Sequence, residues 1–171
     1  KKEALRGIIP LSAGKFGRKS AEIKLRDAQI DPVFYSYVNP RYFIGDSPGL
    51  GKTVMSAACY SYYKYQEHKK GEKPKKIIVV TEAAHVLSFS REWATYGINI
   101  MPLTGSSTGV IKALKKMNED YDKYDGIILN WDGLKTNGFL EYYLNHSHEY
   151  DFGVFDETSK LLNSKSMLYK V

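Results

Sequence analysis

The chain has 171 residues, 43% hydrophobic and 26% charged, enough for a single core that buries about two thirds of the unfolded surface. With 25 lysines and arginines against 19 carboxylates it carries a formal charge of +6, which favours a polyanionic partner without requiring one. Cys59 is the only cysteine, which excludes an internal disulfide and a cysteine-built zinc cluster, and no apolar run approaches the length of a membrane span. A soluble protein with no membrane partner is expected, cytoplasmic in a bacterial or phage-infected cell and nuclear in a eukaryotic one.

Residues 1–21 are basic, hold Gly7, Gly14 and Gly17 and show no hydrophobic period, so an arm or irregular lead-in is expected there. Residues 22–171 read as one α/β domain with a mainly parallel sheet flanked by helices, because short apolar runs alternate with stretches of helical period. The first strand is expected over Tyr42–Gly45, and Val54, Ala58, Tyr62 and Tyr65 then recur at helical spacing. Further strands are expected over Ile77–Thr81, Ile98–Leu103, Gly126–Asn130 and Phe152–Phe155. Val86, Phe89 and Trp93 mark one crossover helix between them, and Val110, Ile111, Leu114 and Met117 another.

Between the first strand and the first crossover helix lies Gly45-Asp46-Ser47-Pro48-Gly49-Leu50-Gly51-Lys52-Thr53. Strand, glycine turn, Lys-Thr and helix in that order are what a phosphate-binding loop needs. Glycines let backbone N–H groups turn around phosphate oxygens, the helix N-terminus adds its dipole, the lysine meets the β and γ phosphates and the hydroxyl ligates magnesium. Gly49, Leu50, Gly51, Lys52 and Thr53 are therefore the candidate ATP contacts. Lys52 is also a candidate catalytic residue and Thr53 a candidate metal ligand.

Phe152-Gly153-Val154-Phe155-Asp156-Glu157 sets a carboxylate pair just past an apolar strand. Nucleotide hydrolysis needs such a pair, since magnesium takes oxygen ligands and the attacking water needs a base or an orienter. Asp156 is the candidate metal ligand, and Asp156 and Glu157 join Lys52 as candidate catalytic residues. In open parallel sheets ligands gather at the carboxyl ends of the strands. Gly45, Thr81, Thr104, Asn130 and Asp156 all sit at or just past proposed strand ends.

The general phosphate-loop pattern has glycine five residues before Gly51, where this chain has Asp46. Asp46-Ser47-Pro48-Gly49-Leu50-Gly51-Lys52-Thr53 resembles motif I of the Swi/Snf-like branch of helicase superfamily two, a group of DEAD/DEAH-type P-loop ATPases. Upstream, Leu25-Arg26-Asp27-Ala28-Gln29 resembles that family's Leu-Arg-x-x-Gln element. Downstream, residues 81–92 resemble motif Ia, with Glu82 in place of the usual proline and Phe89 in place of the usual tryptophan. Leu103-Thr104-Gly105-Ser106 and Leu129-Asn130-Trp131-Asp132-Gly133-Leu134 resemble the next two strand ends, the latter motif Ib. Asp156-Glu157 resembles motif II, followed by Thr158-Ser159 where the family has Ala-His.

The resemblance runs from about Leu25 to Ser166 and implies the N-terminal RecA-like lobe of an ATP-dependent DNA translocase or helicase. It implies ATP and Mg2+ as cofactors. Gln29 would read adenine, whose edge an amide matches with one donor and one acceptor. Thr81, Arg91, Thr104 and Asn130 would contact nucleic acid, duplex DNA in the first instance. A second RecA-like lobe, outside this chain, would bring arginines to the transferring phosphoryl group, so the isolated chain is expected to be nearly inactive.

Two other classes share part of the pattern. A small-molecule P-loop kinase would need a lid cluster of arginines, whereas Arg6, Arg18, Arg26, Arg41 and Arg91 are scattered. A nucleotide-switched, non-motor module that binds DNA or a partner would suit Thr158 and Ser159, but intact Lys52, Thr53, Asp156 and Glu157 oppose it. The lysine run Lys64, Lys69, Lys70, Lys73, Lys75 and Lys76 precedes a strand and belongs on the rim away from ATP, as a solvated helix-end loop. His146 and His148 lack a third ligand at metal-binding spacing. Tyr60, Tyr62, Tyr63 and Tyr65 cover more than one helix face and read as packing rather than a base-stacking platform.

Overall fold

The computed structural model describes residues 25–39, Tyr42, Ile44 and 49–158. Among these residues four strands form one all-parallel sheet, β1 (Lys76–Thr81), β2 (Ile100–Leu103), β3 (Gly126–Asn130) and β4 (Tyr150–Phe155), in the order β2-β3-β1-β4. Five α-helices accompany them: α1 (Asp27–Val38), α2 (Lys52–Lys69), α3 (Val86–Thr95), α4 (Ser107–Glu119) and α5 (Asn137–His146).

Side-chain alternation along the strands assigns the helices to faces. Ile77 and Val79 of β1 and Ile128 of β3 join a core with Ala57, Tyr60 and Tyr63 of α2 and Val86, Phe89 and Trp93 of α3. The intervening Val80, Ile127 and Leu129 join a second core with Val110, Leu114 and Met117 of α4 and Phe139 and Tyr142 of α5. The result is a sheet covered on both sides, as parallel sheets require. On its outer side α2 buries Ala58, Cys59 and Tyr62 against Leu25 and against Ile30 and Val33 of α1. Tyr60, Tyr62 and Tyr63 are thus packing residues, while Tyr65 is exposed, with the Lys69 ammonium 5.7 Å from its ring centre.

The sequence expectations and the observed elements differ at several ends. β2 begins at Ile100 rather than Ile98. The Asn99 N–H donates to the Asp125 carboxylate at 2.7 Å and the Asp125 N–H returns a 2.7 Å bond to the Asn99 carbonyl, so ladder pairing starts only at Ile100 against Gly126. Pro102 sits in β2, an edge strand, where a missing N–H is tolerated. β4 starts two residues early, with Tyr150 against Lys76. Of the strand expected over Tyr42–Gly45, Tyr42 and Ile44 are in no strand; Phe43 and Gly45 lie outside the described residues. The arm expected over 1–21 lies outside them too.

The lysine run falls at the C-terminal end of α2 and the start of β1, at the foot of the sheet. Lys64, Lys70 and Lys73 pair with Asp125, Glu67 and Asp122 at 2.7, 2.6 and 3.0 Å. Lys76 is buried, its ammonium donating to the Tyr121 and Tyr124 carbonyls at 2.7 and 2.6 Å and lying 3.8 Å from the Tyr121 ring centre. Burial pulls its pKa below the usual lysine value. Among the described residues no helix is long and apolar enough to cross a membrane.

Candidate nucleotide site and strand rim

The glycine turn enters α2 through two left-handed residues, Gly49 at φ 82° and Gly51 at φ 81°, a conformation that costs an L-residue about 1–2 kcal/mol and glycine nothing. Gly51 is the N-cap of α2 and brings no side chain of its own to the helix N-terminus, the end at which the helix dipole favours an anion. Gly49 and Leu50 are exposed, while Gly51, Lys52 and Thr53 are half-buried. Gly45, Asp46, Ser47 and Pro48 lie outside the described residues.

Gln29, 21 residues upstream, is brought onto this turn. Its Nε2 donates to the Leu50 carbonyl at 2.9 Å, and its Oε1 accepts the Arg26 N–H at 2.9 Å, which caps α1. A β-carbon on Gly51 would lie 2.8 Å from that Nε2. Gln29 therefore bears on the loop backbone, with both ends of its amide engaged.

Asp156 follows β4, and its N–H donates to the Val80 carbonyl at 2.8 Å, extending the ladder by one bond. The β1–β4 register pairs Ile77 with Phe152 and Val79 with Val154, so one step further Thr81 stands beside Asp156 on the α2 face. There the Thr81 hydroxyl donates to Asp156 Oδ2 at 3.0 Å. From the neighbouring turn, the Trp131 indole N–H donates to the Asp156 carbonyl at 3.1 Å. Trp131 is 2% exposed and Thr81 0%. Val54, next to Thr53, packs against the same core as Val154, which brings the N-terminal end of α2 and the end of β4 onto one side of the sheet. The second carboxylate residue, Glu157, has φ 55°, a left-handed value rare outside glycine.

The other ladders continue the row. Leu103 pairs with Leu129 and Thr81 with Asn130, so Thr104, Asn130, Thr81 and Asp156 line up across the four strands in sheet order. Their exposure differs. Thr104 is exposed, Asn130 is half-buried and spends its Oδ1 on the Gly133 N–H at 3.0 Å, and Thr81 is closed off.

Searches against protein-family models and curated proteins find no match. The site is therefore judged on its residues. The expectation that Thr81 touches nucleic acid is corrected by its burial: the side chain has no surface to offer and its hydroxyl is committed to Asp156. Arg91 is exposed, midway along α3 rather than in the turn after β1. His146 stacks on Tyr142 at 4.3 Å between ring centres and bonds that residue's carbonyl at 2.8 Å, at the C-terminal end of α5. The bonds of Trp131 and Thr81 to Asp156 were missed by motif reading. Period-two counting of β1 and β4 back from Thr81 and Asp156 is the signal that would have paired those two.

The donor set suits magnesium, which takes hard oxygen ligands and fills its shell with phosphate and water rather than a protein cage. Thr53 offers a hydroxyl and Asp156 a carboxylate. Among the described residues no group of three or more His, Cys, Asp or Glu side chains is placed to hold a metal alone.

Proposed function

We propose that this α/β domain is a RecA-like lobe that binds ATP with magnesium and serves as the motor half of a two-lobed, ATP-dependent DNA translocase or helicase of Swi/Snf-like type. The observation that carries the reading is the left-handed glycine turn opening onto α2, which packs on the sheet face where β4 leads into Asp156. Gly49, Leu50 and Gly51 would present backbone N–H groups to the phosphates, and Lys52 would neutralise the β and γ oxygens. Thr53 and Asp156 would hold the metal, which supplies electrophilic polarisation of the phosphoryl group when bound. Glu157 would orient the attacking water. Gln29 would set the loop and, with the Nε2 proton not given to Leu50, reach the adenine edge. Thr104 and Asn130 on the rim and Arg91 on α3 would meet DNA, so that nucleotide and nucleic acid share one edge of the sheet. The arginines of a second lobe, worth roughly 10³ to 10⁵ in rate in related chemistry, would complete the site.

The test is linkage. ATP with magnesium at a hundredfold excess over its dissociation constant should stabilise the folded chain by about 2.7 kcal/mol, and Lys52→Ala should remove most of that gain. An unmutated, folded chain whose melting curve ignores millimolar ATP and magnesium would overturn the proposal.

A further inference from the structure

We infer that Thr81 is a positioning residue, which fixes the Asp156 carboxylate for magnesium, with Trp131 fixing the main chain of the same residue from the rim turn. The inference rests on the magnesium–ATP reading above. Asp156 lies one residue past the last paired residue of β4, an edge strand laddered to β1 alone, and its N–H still donates to the Val80 carbonyl. Two further bonds hold it. One runs from the buried Thr81 hydroxyl to Oδ2 at 3.0 Å, and the other from the buried Trp131 indole to the carbonyl at 3.1 Å. Main chain and side chain are thereby held from two different elements, the turn after β3 and β1. With Oδ2 accepting the hydroxyl proton, the carboxylate plane is set and Oδ1 is left for the metal.

The Trp131 contact extends the same network along the rim. Trp131 belongs to the turn that Asn130 closes by accepting the Gly133 N–H. A shift of that turn would pull on the Asp156 carbonyl directly, because the indole is rigid and packed against Phe155 at 6.1 Å between ring centres. Thr81 thus governs the carboxylate and Trp131 the backbone that carries it.

The experiment is a magnesium chloride titration of ATP binding by the folded chain, followed by calorimetry, with ATP binding in EDTA measured in parallel. Thr81→Val should leave binding in EDTA unchanged and raise the magnesium midpoint roughly 10- to 100-fold, the usual cost of losing an outer-shell partner. Thr81→Ser, which keeps the hydroxyl, should restore the midpoint to within about threefold. In an Asp156→Ala background Thr81→Val should add nothing, since the group it positions is gone. Trp131→Phe should raise the midpoint less than Thr81→Val does. A folded Thr81→Val chain with the original midpoint, or a Thr81→Ser chain as impaired as Thr81→Val, overturns the inference and leaves nucleotide binding intact. Failure of the unmutated chain to bind ATP at any magnesium concentration overturns the functional proposal and this inference together.

Discussion

Gly51→Ala probes the join between α1 and the glycine turn that opens α2. The new methyl meets two separate obstacles. The φ of 81° costs an alanine about 1–2 kcal/mol. Its β-carbon would also lie 2.8 Å from Gln29 Nε2, inside any tolerated contact, so the amide must withdraw. Withdrawal forfeits the 2.9 Å bond to the Leu50 carbonyl and strains the one to the Arg26 N–H, each worth about 0.5–1.5 kcal/mol net. Together these predict a loss of about 2–4 kcal/mol for Gly51→Ala. Gln29→Ala alone should cost about 1–3 kcal/mol through the same two bonds.

The double variant separates the terms. With no amide to displace, only the left-handed strain remains, so the double variant should be less destabilised than the sum of the singles by about 1–2 kcal/mol. Urea denaturation of the four chains measures this, provided the denaturant slopes agree so that midpoints report stability. Two results would refute the reasoning. Additivity within about 0.5 kcal/mol would mean that Gln29 does not bear on Gly51. A cost for Gly51→Ala below about 0.5 kcal/mol would mean that the turn is not left-handed in solution.

The buried phenols predict an alkaline limit. Burial raises the pKa of Tyr60 and Tyr150 well above the ordinary 10.0, so their stabilisation is complete below pH 10 and is lost as pH rises through and beyond it, when the unfolded chain sheds protons the folded chain keeps. Stability should fall by about 1.4 kcal/mol per pH unit for each of these groups between pH 10 and 12, and Tyr150→Phe should make the measured fall shallower by one such share. In the proposed two-lobed protein, duplex binding should show its salt dependence at the rim. Arg91→Ala or substitutions in the turns after Thr104 and Asn130 should each reduce the logarithmic salt slope by about one unit, while removal of Lys73 and Lys75 leaves it unchanged. The reverse pattern would move DNA to the foot of the sheet.

The sheet and its helices were legible because β1, β3 and β4 are short apolar runs and the helices between them keep a clear period. Ile128 and Leu129, or Val110 and Leu114, can be placed in a core from spacing alone. The start of β2 was not legible, because Ile98 is as buried as a strand residue while its neighbour Asn99 is diverted to Asp125 by a side-chain bond that no hydropathy pattern registers. The same blindness affected the site. Motif reading gave Thr81 the role of a surface contact because it ends a strand, whereas the β1–β4 register turns it toward Asp156. Gln29 was singled out for adenine, and its bond to the Leu50 carbonyl depends on the packing of α1 on α2, which sequence spacing does not specify.

The choice of threonine at position 81 bears on whether that bond serves stability or chemistry. A residue with 0% exposure at the end of a central strand is well served by valine, which has nearly the same shape and no polar atom to bury. A buried hydroxyl costs about 1–3 kcal/mol if unpaired and returns only about 0.5–1.5 kcal/mol net when paired, so folding alone gives little reason to prefer it. Its partner needs it no more, because Asp156 is half-buried and water can solvate Oδ2 in its place. Thr81→Val should therefore leave the urea midpoint within about 0.5 kcal/mol of the original, or raise stability, while weakening magnesium-dependent ATP binding. Loss of magnesium response without loss of stability would separate a residue kept for the metal from one kept for the fold. A destabilisation of 2 kcal/mol or more, on the order of a broken buried network, would instead make the Thr81–Asp156 bond a structural one.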